Sequence, residues 1–412
     1  MKKISRREFL SAGVAGTAGL WLAGCLPWSG GKRPGAVVNV PDEDGYRLWL
    51  RYAPPGKDVI SEYQRQIRQV CVAVPGSTGT AIKDELGVAL PSLLGRSVPF
   101  LRGEAPAGTL LVTTSSASPV VTGLDLAESL NHAADEGYAI RTVRLNHGNV
   151  TLVTANTPIG ALYGCFHLLR LMQTGQPISS LNITDRPALK LRLMNHWDNL
   201  DGTIERGYAG RSLWCWNELP DTLDRRYTDY ARACASIGIN GSVIHNVNAN
   251  PRILTTQYLR KIAVLADVWR TYCVRLYLTA NFAAPMRIGG LHTADPLDRE
   301  VIDWWKRKTD EIYSLIPDFG GFLVKADSEG QPGPKTYGRT HAEGANMLAD
   351  ALASHGGVVM WRAFVYDPDV DPDRVKRAYI EFTRLDGQFR PNVAVQIKNG
   401  PLDFQPREPF HP

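Results

Sequence analysis

From Leu189 to the end of the chain, six apolar, strand-like runs recur: Leu189–Asn195, Gly241–Asn246, Val274–Ala280, Gly321–Ala326, Val358–Phe364 and Val393–Lys398. Amphipathic stretches such as Arg226–Ile237 and Thr256–Arg270 lie between them, and the runs start 33 to 52 residues apart. That spacing suits successive parallel strands joined by helices, the rhythm of a (β/α) barrel. A closed barrel needs eight such units and typically about 250 residues. Only six units are legible, in fewer residues than that, so the sequence reads as an incomplete (β/α)8 (TIM) barrel, truncated at its C-terminal side. An open six-strand barrel would expose two sheet edges and much apolar surface, so poor solubility or inactivity is expected unless further polypeptide completes it.

Before the barrel the rhythm is different. Short β-like runs at Tyr46–Arg51, Val70–Val74, Thr109–Thr113, Tyr138–Leu145 and Asn149–Val153 are interleaved with helical stretches at Asp125–Ala134 and Ile159–Met172. The fold class is therefore α/β: a mixed α/β accessory domain over 40–185, then the partial barrel over 186–412. The accessory region carries no constellation suited to chemistry. His132, His147 and His167 are isolated and read as structural.

At 412 residues, 44% hydrophobic and 21% charged, the chain is neither disordered nor fibrous. The net charge is +5, and Lys2, Lys3, Arg6 and Arg7 against Glu8 supply most of it, so no nucleic-acid partner is suggested. The six cysteines are scattered, with no C-x-x-C pair and no zinc-type cluster; neither a disulfide framework nor a metal site is signalled, and no cofactor. Residues 1–25 combine the twin-arginine run Ser5-Arg6-Arg7-Glu8-Phe9-Leu10 with a short, moderately apolar stretch ending Leu22-Ala23-Gly24-Cys25. This is expected to be a twin-arginine export signal with a lipobox, in which Cys25 is acylated and tethers a periplasmic or cell-surface protein to a membrane. An ordinary cleaved signal is the alternative. Residues 26–39 read as a linker.

The chemistry is signalled by residues that a buried parallel strand should not contain. Such strands are normally Val, Ile and Leu, because an unpaired buried charge is costly. Yet Lys325, Arg362 and Lys398 sit at or near the C-terminal ends of the last three runs, where barrels of this kind bind ligands. Three converging cations predict an anionic ligand; with no Gly-rich phosphate loop, a carboxylate fits at least as well as a phosphate. The alternative is that each cation neutralises a neighbouring acid. Lys325, Asp327 and Glu329 are spaced i, i+2, i+4, so they share a side while the strand stays extended. Asp327 is expected to partner Lys325. Glu329 enters the rigid loop Gly330-Gln331-Pro332-Gly333-Pro334, and Asp403 follows the sixth run. Two carboxyl groups across a cleft are what glycoside hydrolysis requires, one to donate a proton and one to activate water or attack carbon. Trp197, after the first run, is a sugar platform or a packing residue. Trp304 and Trp305 read as packing. Asn246, Asn248, Asn250 and Asn281 hydrogen-bond hydroxyls or satisfy turns.

From about Leu189 onward the chain resembles the microbial α-glucuronidases of glycoside hydrolase family 67. The likeness is carried by NHWDNLDGTIERGYAGRSLW, ASIGINGSVIHNVNAN, GGLHTADPLD, the long run WWKRKTDEIYSLIPDFGGFLVKADSEGQPGPKTYGRTHAEGANMLADAL, WRAFVY and LDGQFRPNVAVQIKNGPLDFQPREP. Before it, TPIGALYGCFHLL and DRPALKLR resemble the family's accessory domain and its link to the barrel. The resemblance implies inverting removal of 4-O-methyl-glucuronic acid, α-1,2-linked to the terminal xylose of glucuronoxylan oligosaccharides. It implies Glu329 as general acid, Asp403 as a water-activating carboxylate, Lys325, Arg362 and Lys398 around the uronate, and Trp197 as a pocket aromatic. The family's second base-side glutamate, and its helical C-terminal domain associated with dimer formation, have no counterpart in this sequence.

Two other readings fit part of the sequence. One is a non-catalytic exported lipoprotein that binds acidic oligosaccharides. The other is a barrel glycosidase acting on amino sugars with help from the substrate amide, but that mechanism usually shows adjacent Asp-Glu, whereas Ser328 separates Asp327 from Glu329. Three basic strand ends also favour a uronate over a neutral sugar.

Overall fold

The computed structural model describes residues 43–397, apart from 104, 119–120, 122, 146, 206–209, 364–370 and 374–375. The signal and linker regions, Cys25, Lys398 and Asp403 lie outside the described residues. The elements below belong to the unit Trp49–Pro412.

The first sheet contains β1 (Gln69–Ala73), β2 (Phe100–Leu101), β3 (Thr109–Thr114), β4 (Tyr138–Leu145), β5 (Gly148–Ala155) and β6 (Asn182–Asp185), in the order β2-β1-β3-β5-β4-β6. The strands β1, β2, β3 and β5 run parallel, whereas β4 is antiparallel to both β5 and β6. Its helices are α1 (Lys57–Gln66), α2 (Gly76–Leu94), α3 (Ala127–Ala133) and α4 (Pro158–Gln173). At the start of α4, Thr157 caps Gly160 N–H and Pro158 stands where no amide is needed. One expectation fails: Leu48–Arg51, inside the run read as a first strand, is 3-10 helical. Leu48 and Tyr52 both hold φ 51°, a left-handed value that an extended run cannot accommodate. The sequence reading also missed α1 and α2.

The second sheet contains β7 (Leu193–Asn195), β8 (Gly241–Ile244), β9 (Arg275–Thr279), β10 (Gly321–Val324), β11 (Val358–Arg362) and β12 (Val393–Gln396), each within one of the six expected runs. They neighbour one another in chain order and all pair in parallel. Between them run α5 (Arg225–Ser236), α6 (Thr256–Arg270), α7 (Arg299–Leu315), α8 (His341–Leu352) and α9 (Arg377–Thr383). On α6, Leu259, Ile262, Ala266 and Trp269 form the buried stripe expected of an amphipathic helix on a sheet. A capping box between Thr340 and Glu343 starts α8, and Asp298 caps α7. Thus the fold is α/β, with an accessory mixed sheet followed by a parallel sheet that, among the described residues, curls into half a barrel.

The inner strands are buried on both faces, and the period-2 alternation sorts their side chains. Val243, Tyr277, Leu323 and Met360 form an inner layer, against which Leu193 and Trp197 pack. The intervening Ile244, Leu278, Phe322, Val324, Val359 and Trp361 join the helix-side core. Strand β10 opens on Gly320-Gly321 because nothing larger fits. A Cβ on Gly320 would lie 2.2 Å from the Tyr277 ring, and Gly321 holds φ 129°. The outer strands β7 and β12 are less buried, and Met194 (43%) and Ile397 (74%) are exposed.

Buried and half-buried polar contacts join the two sheets. Glu85 of α2 accepts from Arg232 Nη2 of α5 (2.8 Å) and from the Tyr52 hydroxyl. Glu136, beside β4, accepts from Arg192 Nη2 (2.5 Å) and Asn240 Nδ2 (3.0 Å).

Candidate active site

Register places two of the three expected cations side by side. Leu323 pairs with Met360 and Val324 with Trp361, so Lys325 and Arg362 are the next neighbours along the β10–β11 ladder. Each lies two residues beyond an inner-layer side chain, Leu323 or Met360, and so projects toward the barrel interior. Both are buried, Lys325 at 3% and Arg362 at 7% exposure. The ladder continues from Arg362 to Gln396 of β12.

Each cation has a partner. Lys325 Nζ donates to Asn248 Oδ1 at 2.8 Å and forms an ion pair with Glu329 Oε2. The Arg362 guanidinium stands over the Trp197 indole, 5.4 Å from the ring centroid. Trp197, Lys325, Arg362 and Glu329 therefore gather at one mouth, at the C-terminal ends of the parallel strands.

Glu329 reaches Lys325 by a route other than the expected one. Strand β10 ends at Val324, and Asp327 and Glu329 both hold φ 50°, so the segment is not extended. The chain turns tightly, with Ser328 bridged to Gln331. This swings Asp327 away: it accepts from Lys335 N–H at 3.0 Å and lies 3.9 Å from His341 Nδ1. Asp327 therefore supports the loop rather than partnering Lys325. Burial raises its carboxyl above the ordinary range, against the lowering effect of the Lys335 amide. Behind it, His341 Nδ1 accepts from Trp361 Nε1 (3.2 Å), which leaves Nε2 to face Glu381 Oε1 (3.4 Å), and Lys335 Nζ binds Glu381 Oε2 (2.6 Å). Burial alone would raise the Glu381 carboxyl; His341 and Lys335 outweigh it and hold it low.

Most of the asparagines serve turns. Asn250 Oδ1 accepts from Arg252 N–H, Asn281 Oδ1 from Ala283 N–H and Asn246 Oδ1 from Asn248 N–H. Asn248 alone also binds a site cation, and its amide is fixed at both ends, because Nδ2 donates to Glu205 Oε2 at 3.1 Å. Glu205 is a site carboxylate that the sequence reading missed. The signal was Asp201-Gly202, a turn dipeptide that folds the segment after Trp197 back on itself; Asn199 N–H meets Thr203 O and Glu205 N–H meets Trp197 O.

A polar layer lies under the mouth. Asp198, 3% exposed, accepts from His245 N–H (3.1 Å) and Ser212 Oγ (3.0 Å), and burial raises its carboxyl. His245 sits at φ 80° with Nε2 accepting from Asn250 N–H, and burial pushes its imidazolium down to about 4. Trp304 and Trp305 are buried on α7, as packing residues should be. Among the described residues, no group of three or more His, Cys, Asp or Glu is placed to hold a metal ion.

A parallel β/α sheet with its polar groups gathered at the C-terminal strand edge belongs to the TIM-barrel class. The solved chain named CpGH84B shares the fold with a TM-score of 0.51 at 12% identity, covering 81% of this chain and 53% of that one. Sequence gives the family. The family models "Glycosyl hydrolase family 67 N-terminus" and "Glycosyl hydrolase family 67 middle domain" match residues 48–168 and 171–412, and the chain belongs to glycosyl hydrolase family 67. It is 41% identical over 388 residues to Alpha-glucuronidase A of Emericella nidulans, covering 90% of this chain and 45% of that protein. With Alpha-glucuronidase A of Aspergillus tubingensis it shares 40% identity over 384 residues, covering 90% of this chain and 44% of that protein. The chain thus spans about half the length of these relatives.

Proposed function

We propose that this chain carries the acid-side machinery of an α-glucuronidase. It cleaves the α-1,2 bond between (4-O-methyl-)glucuronic acid and the terminal xylose of glucuronoxylan oligosaccharides, with inversion. The observation that carries the reading is the pair of buried, neighbouring cations, Lys325 and Arg362, beside Glu329 and Trp197. Two like charges on adjacent strands repel, and a carboxylate received between them relieves that repulsion while gaining charge-assisted hydrogen bonds. Trp197 offers an apolar face to the sugar ring. Glu329, on an exposed turn, protonates the departing xylose oxygen. Asp403 activates the attacking water and Lys398 adds a third contact to the uronate; inverting glycosidases keep their two carboxyl groups roughly 6.5 to 9.5 Å apart to make room for that water.

Incubation with aldouronic oligosaccharides and assay of free uronic acid tests the reading. Wild type releases uronic acid; Arg362→Ala retains turnover better than affinity, with kcat/KM lower by about 10²-fold. Binding without release would instead identify an oligosaccharide-binding protein. We extend the proposal to location: the twin-arginine signal exports the chain and acylation of Cys25 anchors it. Cys25→Ser then moves the protein from the membrane to the soluble fraction, and unchanged partitioning sinks the anchor.

A further inference from the structure

We propose that the substrate's own carboxylate arms the acid: a uronate entering the mouth draws Lys325 off Glu329, and Glu329 takes up the proton it later donates. The inference rests on the α-glucuronidase reading and adds to it a cause for uronate specificity in the chemical step as well as in binding.

Lys325 Nζ donates to Glu329 Oε2. That oxygen is acting as an acceptor, the opposite of what a proton donor to a glycosidic oxygen must do. The two partners are unequally held. The Lys325 side chain is 2% exposed and anchored by Asn248 Oδ1, whose amide is in turn oriented by Glu205; the Glu329 side chain is 45% exposed. The ammonium is the fixed member, and the carboxylate is the one that can be displaced.

Charge counting gives the direction. Lys325 Nζ is shared between Asn248 Oδ1 and Glu329 Oε2, while the Arg362 guanidinium stands over the Trp197 ring. Asp198 and Asp327 are turned to Ser212, His245 N–H and Lys335 N–H. A uronate drawn to Lys325 Nζ competes with Glu329 for the same ammonium. One ammonium then faces two carboxylates, and Glu329, released from Lys325 and covered by the bound sugar, takes up a proton from solvent. On cleavage the C1–O bond breaks, the Glu329 proton goes to the xylose oxygen, and water adds to C1 with loss of its proton to the base. A neutral glucoside leaves the Lys325–Glu329 pair intact, and so leaves the acid unarmed.

Two measurements on the full chain test this. The first is titration calorimetry with aldobiouronic acid, glucuronic acid α-1,2-linked to xylose, in two buffers of different ionisation enthalpy near pH 6.5. Wild type takes up about one proton per uronide bound, and Glu329→Gln takes up none. Binding without uptake, or equal uptake by Glu329→Gln, overturns the inference. The second compares hydrolysis of the uronide with that of its glucosyl counterpart. Lys325→Met slows the uronide yet speeds the neutral glucoside about tenfold over wild type, because Glu329 is no longer paired. A glucoside rate that falls or stays level overturns it. Uptake on binding with no release of uronic acid supports the coupling and removes the activity reading; a chain that binds no uronide removes both.

Discussion

Glu329→Gln lowers kcat on aldouronic oligosaccharides by about 10²- to 10⁴-fold, the range general acid catalysis commonly supplies. The amide has nearly the shape of the carboxyl and can still accept from Lys325, and the side chain is 45% exposed, so the fold is undisturbed. What it cannot do is hand a proton to the leaving oxygen. The loss therefore falls on kcat, with KM changed only a few-fold, because the proposed uronate contacts, Lys325 and Arg362, are unchanged. Initial rates of uronic acid release on both proteins measure it. A loss below tenfold in kcat would remove Glu329 from the acid role.

Glu85→Ala destabilises the protein by about 3–5 kcal/mol, the cost of leaving one member of a buried ion pair unpaired. Glu85 is 4% exposed, and its removal strands the Arg232 guanidinium, whose side chain is only 18% exposed, together with the Tyr52 hydroxyl. These groups bridge helices from the two sheets, so the change loosens the packing of one sheet on the other. The double variant Glu85→Leu with Arg232→Met loses less, since no charge is left unpaired. Urea unfolding followed by circular dichroism reads both; a shift in the single variant under about 1 kcal/mol would show that this contact is mostly solvated.

The parallel sheet was legible because its signals are local. Each of β7 to β12 lies within an apolar run whose neighbours are amphipathic, and Lys325, just past β10, and Arg362, at the end of β11, marked the edge proposed to bind substrate. The shape of the loop after β10 was not legible. The i, i+2, i+4 spacing of Lys325, Asp327 and Glu329 presupposed extended backbone, and two left-handed positions, Asp327 and Glu329, break it. The right pair, Lys325 with Glu329, meets through a turn, and Asp327 goes to Lys335 and His341. Glu205 escaped notice for a related reason. A carboxylate ten residues past the strand reaches the site only through the reversal at Asp201-Gly202. Its role depends on Asn248, which no periodicity marks. In the accessory region, the apolar residues of Tyr46–Arg51 suggested a strand, but positive φ at Leu48 and Tyr52 interrupts extended backbone and Leu48–Arg51 is 3-10 helical.

In the proposed function, neighbouring buried cations receive a uronic acid while Glu329 faces the scissile oxygen. A crystal structure of Glu329→Gln with an uncleaved aldouronic oligosaccharide addresses it most directly. The expected structure has the sugar carboxylate within hydrogen-bond reach of both Lys325 Nζ and the Arg362 guanidinium, with the substituted side-chain amide at the xylose linkage. A carboxylate held elsewhere, with Lys325 still bound to that substituted side chain, would contradict it.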